Sequence, residues 1–245
     1  MKKETFDVLL LNARPAAGKS EIIDYLKRCD LQSRKKRFHI GEFEEIDDFP
    51  MLWTWFEEDE ILEEMGLPRL HSDQAGYFKE QYLWDLLIRR MSMEYKKREN
   101  RIPNYHDTTT TILEFARGTE HGGYKSAYQH LDPQIVERMV ILYLDVSYEE
   151  SLRKNRKRFN PERPDSILEH GLSDEKMERL YKNVDWFDLA KNDPAYIEVQ
   201  GVQVPYVIFD NADDVTTGRG EALGERLEEC LTTLWQRWSA RPALK

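Results

Sequence analysis

Three consecutive residues near the amino terminus, Gly18, Lys19 and Ser20, have the types and the order that bind a phosphate group. Gly18 would let the backbone approach a phosphate, Lys19 would reach the β- and γ-phosphates of a nucleotide, and the Ser20 hydroxyl would ligate magnesium. With the five residues before them they match the pattern G-x-x-x-x-G-K-[ST] except at the first position, where alanine replaces glycine. The predicted phosphate loop consists of Ala13, Arg14, Pro15, Ala16, Ala17, Gly18, Lys19 and Ser20.

The residues around this loop have the patterns that such a loop requires. Residues 6–11 form a short apolar run of strand length, and Ile22, Ile23 and Leu26 then recur on one face of a helix. Ala13 is compatible with the loop if its φ is below zero, because its side chain is small. The order of strand, tight loop and helix predicts nucleotide binding rather than a chance match in an ordinary turn.

Two further segments resemble the nucleoside and nucleotide kinases, the family of adenylate kinase, thymidylate kinase and the deoxynucleoside kinases. The first is residues 112–118, in which Glu114 ends a β-rich run and Arg117 follows. The resemblance implies that Glu114 orients magnesium-bound water or accepts the proton of an attacking hydroxyl, and that Arg117 holds the substrate. The alternative is a surface ion pair between these two side chains.

The second segment, residues 140–158, resembles the fourth strand and the lid arginines of the same kinases. Arg153, Arg156 and Arg158 are then expected to close over the transferring phosphoryl charge, although a solvated charged helix is the simpler alternative. A regular helix turns Arg156 about 60° and Arg158 about 140° from Arg153, so Arg158 could act there only if the helix ended close by. The apolar run before Asp145 also fits a strand whose carboxylate holds the metal, which makes Asp145 the alternative metal ligand.

Strands and helices alternate along the chain. Apolar or β-rich runs predict strands over residues 6–11, 38–40, 108–115, 139–144 and 204–209. Residues 52–65, residues 79–98 and a stretch beginning near Leu223 have helical spacing. This pattern predicts a three-layer α/β domain over residues 1–245 with a five-stranded parallel sheet, and a lid over residues 150–185. Asp210 and Asn211, which end the fifth strand, are expected on the adenine side.

Residues 42–104 are aromatic and acidic and are expected to form a helical insertion on the substrate side. Because the corresponding segment builds the acceptor pocket in the kinases named above, its aromatic rings are candidates to stack on an acceptor base, unless they belong to the core. These rings are Trp53, Trp55, Phe56, Tyr77, Tyr82 and Trp84.

Composition limits the partners of the chain. The formal net charge of −10 disfavours extended nucleic acid and anionic membranes, and residues 1–15 are expected to form neither a signal peptide nor a membrane-spanning segment. Two cysteines are too few for a disulfide scaffold, which favours the cytoplasm. The sequence is compatible with a homodimer.

The predicted activity is transfer of the γ-phosphoryl group of ATP, with Mg²⁺, to a small acceptor of the nucleoside or nucleotide type. A GTPase is disfavoured because no Asn-Lys-x-Asp sequence occurs. The alternatives are a nucleotide-binding module without transfer activity and a kinase of a larger acceptor, such as an oligonucleotide end.

Overall fold

One six-stranded sheet organises the part of the chain that the computed structural model describes, residues 3–160, 162 and 171–241. Its strands, in chain order, are β1 (Val8–Ala13), β2 (Glu42–Asp47), β3 (Thr109–Phe115), β4 (Met139–Asp145), β5 (Tyr196–Val199) and β6 (Val202–Asp210). They lie in the order β2-β3-β1-β4-β6-β5, and all are parallel except β5, which is antiparallel to β6. The predicted α/β fold is confirmed, but the prediction of a sheet with only five parallel strands is wrong.

Helices cover both faces of this sheet. They are α1 (Lys19–Arg28), α2 (Leu31–Phe38), α3 (Phe49–Glu64), α4 (Tyr82–Arg101), α5 (Gly123–Gln129), α6 (Pro133–Arg138), α7 (Tyr148–Arg158), α8 (Asp174–Tyr181), α9 (Trp186–Ala190), α10 (Val215–Gly218) and α11 (Glu221–Ala240). Leu9 and Leu11 of β1 pack with α1 and α11, whereas Val8 and Leu10 pack with α4, α5, α6 and α9. β1 is therefore buried on both faces, as its apolar run predicts.

The additional strand, β5, belongs to a hairpin with β6. Gln200 and Gly201 connect the two strands with φ values of 50° and 81°, the pair of positive φ values that a tight type I′ hairpin turn requires. Ile197 and Val199 are the buried residues of this four-residue strand. Because β5 has only four residues, the apolar runs of the sequence did not predict it. Gly201, which lies between two stretches of alternating pattern, is a signal for the turn.

The second strand was predicted in the wrong place. Phe38 is instead the last residue of α2, and residues 39 and 40 follow the helix. The helix forms there because the Asp30 side chain caps its start by accepting hydrogen bonds from the backbone N–H groups of Gln32 and Ser33. The strand is instead the acidic run Glu42–Asp47 at the edge of the sheet. This edge strand tolerates charged side chains because all its residues except Ile46 are exposed or half-buried.

The segment 42–104 begins with this edge strand and continues with α3 and α4. Between the two helices, the buried carboxylate of Asp59 accepts hydrogen bonds from the backbone N–H groups of Leu70, His71 and Ser72, which fixes the connecting loop. The predicted lid, residues 150–185, contains α7 and α8, while its residues 161 and 163–170 lie outside the described part. No helix among the described residues is long and apolar enough to span a membrane.

Candidate active site

The phosphate loop leaves β1 at the centre of the sheet and leads directly into α1. Ala13 is buried as the last residue of β1 and is not among the residues with positive φ, which confirms the condition for an alanine at this position. Ala16 and Gly18 have left-handed conformations, with φ values of 54° and 111°. A Cβ atom at Gly18 would lie 2.5 Å from the Thr216 hydroxyl oxygen, so both the conformation and the close approach require glycine there.

Side chains from neighbouring elements hold the loop in this shape. The Asn211 Nδ2 atom donates hydrogen bonds to the Ala17 carbonyl, at 3.0 Å, and to the Thr216 hydroxyl, at 2.9 Å. The Ser151 hydroxyl donates to the Pro15 carbonyl at 2.7 Å. The loop is therefore braced from β6, α10 and α7 before any nucleotide binds.

Arg14 serves the same bracing and does not face a phosphate. Its guanidinium donates to the backbone carbonyls of Val146, at 2.8 Å, Tyr181, at 3.1 Å, and Lys182, at 3.2 Å. These contacts connect the loop to the ends of β4 and α8.

A cleft of about 1250 Å³ opens in front of the loop. It brings together ten of the residues that the sequence predicts for the site: Pro15, Ala16, Ala17, Gly18, Lys19, Ser20, Glu114, Arg117, Arg153 and Arg158. The predicted residues outside its lining are Ala13, Arg14, Asp145, Arg156, Asp210 and Asn211. Asn211 is fully buried behind the loop, and Asp210 is exposed beyond it.

Two carboxyl groups meet at the carboxyl ends of β2 and β3, beside Lys19. Asp47 and Glu114 are in register on these strands, and both line the cleft. Burial, followed by the charges of Glu114 and Asp48, raises the pKa of Asp47 to about 8. Burial also raises the pKa of Glu114, an effect that Lys19 and a hydrogen bond with Asp47 oppose. One proton shared by this pair near neutral pH is the simplest account of two adjacent, half-buried carboxyl groups.

Sequence reasoning missed Asp47 as a site residue. Its signal is weak, because it is one of several acidic residues in an edge strand rather than the end of an apolar run. Only the pairing of β2 with β3 brings it to Glu114. The other predicted carboxylate, Asp145, faces Arg14 and is in register with Asp210.

Arg117 is a buried side chain that connects Asp48 with Trp84. Only 2% of it is exposed, and its Nη1 atom donates to the Asp48 carboxylate at 2.6 Å. Its Nη2 atom donates to the Trp84 carbonyl at 3.3 Å, and its guanidinium lies 5.1 Å from the centre of the Trp84 ring. The alternative of a surface ion pair between Arg117 and Glu114 is therefore wrong.

The three arginines of α7 point in different directions. Arg153 pairs with Glu150 and Asp214 on the α10 side of the cleft. Arg156 forms two hydrogen bonds with Asp174 on the outer surface. The helix ends at Arg158, which is the condition that the sequence analysis set for Arg158 to act in the site. Arg158 faces the charges of Glu21, Glu114 and Asp47.

Beyond the carboxyl pair the cleft widens into a region that we call the outer lobe. It is the part of the cleft lined by α3, residues 69–81, Trp84, residues 116–121 and α8. Of the six predicted stacking rings, four line it: Trp53, Phe56, Tyr77 and Trp84. Trp55 is buried against His71, and Tyr82 is 62% exposed outside the cleft.

The residues of the loop and of the carboxyl pair fit a magnesium nucleotide. No cluster of three or more His, Cys, Asp or Glu side chains occurs in the part of the chain that the structure describes. Magnesium bound with a nucleotide needs only one or two carboxylates besides phosphate oxygens and water. Ser20 is exposed in the first turn of α1, and the Glu114 Oε2 atom is buried without a hydrogen-bond partner. Ser20, Glu114 and Asp47 are thus the residues that could hold the ion.

Comparisons with known proteins find similarity among solved structures. No family model and no curated protein matches its sequence. Among solved structures, the chain is similar to a gluconokinase from Sinorhizobium meliloti 1021, with 12% identity, 96% of this chain and 94% of that chain covered, and a TM-score of 0.42. A sugar kinase from Janibacter sp. HTCC2649 matches with 12% identity, 95% and 98% coverage and a TM-score of 0.42. A shikimate kinase from Acinetobacter baumannii matches with 14% identity, 72% and 76% coverage and a TM-score of 0.33.

All three of these structures are described as kinases, the class of enzyme that the sequence predicts. At TM-scores below 0.5 the similarity carries no argument about the reaction. What identifies the fold is the chain's own structure: the Gly18-Lys19-Ser20 loop, its position between a central parallel strand and a helix, and the cleft at the carboxyl ends of the strands. The chain has the P-loop α/β fold.

Proposed function

We propose that the protein is an ATP-dependent phosphotransferase that moves the γ-phosphoryl group to a hydroxyl group of a small acceptor. The observation that carries this proposal is the shared cleft: the phosphate loop, the carboxyl pair and Arg158 line one end of it, and the outer lobe continues from there. A nucleotide-binding module without transfer activity would need neither the carboxyl pair beside Lys19 nor a second lobe.

The loop would bind the phosphates of ATP. Backbone N–H groups at the start of α1 and the Lys19 ammonium supply positive charge, and Ser20 with Glu114 would hold magnesium. Magnesium supplies neutralisation of charge on the β- and γ-phosphate oxygens when it is bound. Arg153, Asp214 and Arg219 line the neighbouring end of the cleft, where the nucleoside part would lie.

The carboxyl pair would accept the proton of the acceptor hydroxyl. Asp47, in its ionised form, takes that proton as the hydroxyl oxygen forms its bond to the γ-phosphorus, and the bond from the γ-phosphorus to the β,γ-bridging oxygen breaks to release ADP. A base whose pKa lies near neutrality suits this transfer, because it is both available and sufficiently basic near pH 7. Burial raises the pKa of Asp47 towards that range.

Arg158 would stabilise the phosphoryl group during transfer. Among the α7 arginines it alone faces the carboxyl pair, so its guanidinium is the one placed to neutralise charge that spreads over the equatorial oxygens. Arg117 would hold the residues of the outer lobe in place and would not bind the acceptor itself, because its guanidinium is already paired with Asp48.

The test is acceptor-dependent formation of ADP. The purified protein is mixed with MgATP and a panel of sugars, polyols, sugar acids, nucleosides and nucleoside monophosphates, and products are identified by mass. We expect phosphorylated product from at least one class, and loss of at least 99% of the rate in Lys19→Ala, which keeps the fold because Lys19 is only half-buried. Equal rates in mutant and parent, or no product with any compound, would overturn the proposal.

A further inference from the structure

His121 has a buried ring nitrogen without a partner in the wall of the outer lobe. The residue is 8% exposed and lines the lobe, and its Nε2 atom has no hydrogen-bond partner. A buried polar atom in this state is destabilising, because it has lost its hydrogen bonds to water. Its imidazole stacks on Trp84 with the ring centres 4.0 Å apart, which fixes the plane of the ring. Because His121 lines the lobe, a molecule bound there is the partner that we consider for this nitrogen.

The imidazole of His121 is neutral at physiological pH. Burial, followed by the charges of Arg117 and Arg179, lowers the pKa of His121 to about 4. A neutral imidazole offers one N–H group and one lone pair. This combination suits a hydroxyl group, which can donate or accept, and gives no charge attraction for an anion.

The charge balance of the outer lobe also disfavours an anionic ligand. Three of its cations are neutralised within the protein, by the pairs Arg69–Glu63, Arg117–Asp48 and Arg179–Glu120.

Lys176 is the cation that remains in the lining of the outer lobe. No carboxylate lies within ion-pair distance of it in the described part of the chain. Glu57, Glu60 and Glu80 also line the lobe and make no ion pair with any described residue. Three carboxylates against one ammonium leave an excess of negative charge and of hydrogen-bond acceptors. Hydroxyl groups donate to carboxylates, whereas phosphate and carboxylate groups are repelled by them.

The aromatic rings of the lobe are largely engaged with the protein. Trp84 is 6% exposed and carries His121 on its ring, and Phe56 is stacked on Phe78 with ring centres 5.4 Å apart. The Tyr77 ring is covered by the Arg179 guanidinium at 4.2 Å. The lobe therefore offers hydrogen-bonding groups more readily than free faces on which a base could stack.

We propose that the acceptor is a small, neutral, polyhydroxylated molecule of the sugar or polyol class, and that Nε2 of His121 hydrogen bonds one of its hydroxyl groups. This inference rests on the proposed function and narrows its acceptor. His121 is then a residue that determines acceptor specificity, separate from the carboxyl pair that would take the proton.

The experiment compares His121→Phe with His121→Gln in steady-state kinetics. Phenylalanine keeps a ring that can stack on Trp84 but has no ring nitrogen, whereas the glutamine amide can restore a hydrogen bond at the Nε2 position. With the preferred neutral sugar or polyol we expect the acceptor KM to rise about tenfold or more in His121→Phe and to recover in part in His121→Gln. The KM for ATP should stay within about twofold in both, because His121 lies in the outer lobe.

Carboxylate variants give a second, independent readout. Glu60→Gln should raise the acceptor KM for neutral polyols while improving the use of sugar acids, and Glu58→Gln, an exposed change on the same helix outside the cleft, should change neither. An unchanged acceptor KM in His121→Phe, or a preference for nucleosides, nucleotides or sugar acids over neutral polyols, would overturn this inference while product formation kept the proposed function intact. Absence of any product would overturn both.

Discussion

A pair of half-buried carboxyl groups beside a lysine is the chemical centre of the cleft, and isosteric changes can distinguish the roles of its two members. Glu114→Gln and Asp47→Asn keep side-chain volume but remove the ability to accept a proton. We expect turnover to fall at least 100-fold in Glu114→Gln and at least tenfold in Asp47→Asn, with ATP affinity changed less than turnover.

Asp145→Asn is the matched control for these two changes. Its carboxylate faces Arg14 outside the cleft, so turnover should stay within about threefold of the parent. Steady-state kinetics on one verified acceptor tests which strand carries the catalytic carboxylate. If Asp145→Asn were inactive and Glu114→Gln fully active, that carboxylate would be the one on β4.

The same pair should make the stability of the nucleotide-free protein depend on pH. Asp47 has a pKa of about 8 in the folded protein against about 3.9 in an unfolded chain. Between these values the folded state holds a proton that the unfolded state releases, so the free energy of unfolding falls as pH rises from about 4 to 8.

Asp47→Asn should flatten this dependence. We expect the variant to be more stable than the parent at pH 8, by on the order of 1 kcal/mol or more, and to lose this advantage towards pH 5. Urea unfolding without nucleotide or metal at these two pH values measures the difference, and parallel pH profiles for variant and parent would contradict the assignment.

Arg158 and Arg156 of α7 face different groups, so their loss should affect turnover differently. Arg158→Ala should lower turnover about tenfold or more, because its guanidinium faces the carboxyl pair where the phosphoryl group is transferred. Arg156→Ala, which removes a surface pair with Asp174, should leave turnover within about twofold. The kinetics of the two variants on the same acceptor test this order, and a larger effect at Arg156 would reverse it.

Secondary-structure elements differ in how far their own residues determine them. The strand, loop and helix from β1 to α1 were predictable because an apolar run, a glycine that needs a left-handed conformation and a helical apolar stripe are all local signals. Glu114 was predictable for the same reason, as the end of a β-rich run. β2 was not, because an acidic edge strand has no apolar pattern, and with it Asp47 was missed.

The roles of Arg156 and Asn211 depend on contacts far along the chain. The sequence placed Arg156 with Arg153, but which face of α7 meets the cleft is fixed by packing against the body of the protein, and the pairing with Asp174 could not be read from spacing. Asn211 was expected to line the adenine side, whereas it is buried and binds the Ala17 carbonyl behind the loop.

This brace between β6 and the phosphate loop is itself testable. Asn211→Asp keeps an acceptor for the Thr216 backbone N–H but cannot donate to the Ala17 carbonyl, and Asn211→Ala removes both contacts. A buried acceptor left without its donor costs about 1–3 kcal/mol, so both variants should melt earlier and bind ATP about fivefold or more weakly. Fluorescence titration with a labelled ATP analogue measures this, and unchanged affinity in both would show that the loop keeps its shape without the brace.

For the whole molecule, the cleft lies between elements that share no continuous core with one another. The phosphate loop and α11 belong to one hydrophobic cluster, α3 and the first turns of α4 to another, and α8 to a third. A nucleotide and an acceptor bound together in the cleft would contact residues supported by all three clusters. Binding should therefore stabilise the chain as a unit rather than the loop alone.

Thermal unfolding gives the most direct test of this linkage. A ligand that binds only the folded state adds RT ln(1 + [L]/Kd), about 2.7 kcal/mol at 100 times Kd, which for a chain of this size corresponds to a rise in Tm of about 5–10 °C. We expect MgATP to raise the Tm of the parent by this amount, and Lys19→Ala, which lacks the ammonium beside the phosphates, to show less than about a third of the shift. GTP should stabilise less than ATP if the end of the cleft near Asp214 and Arg219 reads the base. A shift that is equal in parent and Lys19→Ala would mean that the nucleotide binds elsewhere, because the loss of one charge from a true phosphate loop must weaken the binding that produces the shift.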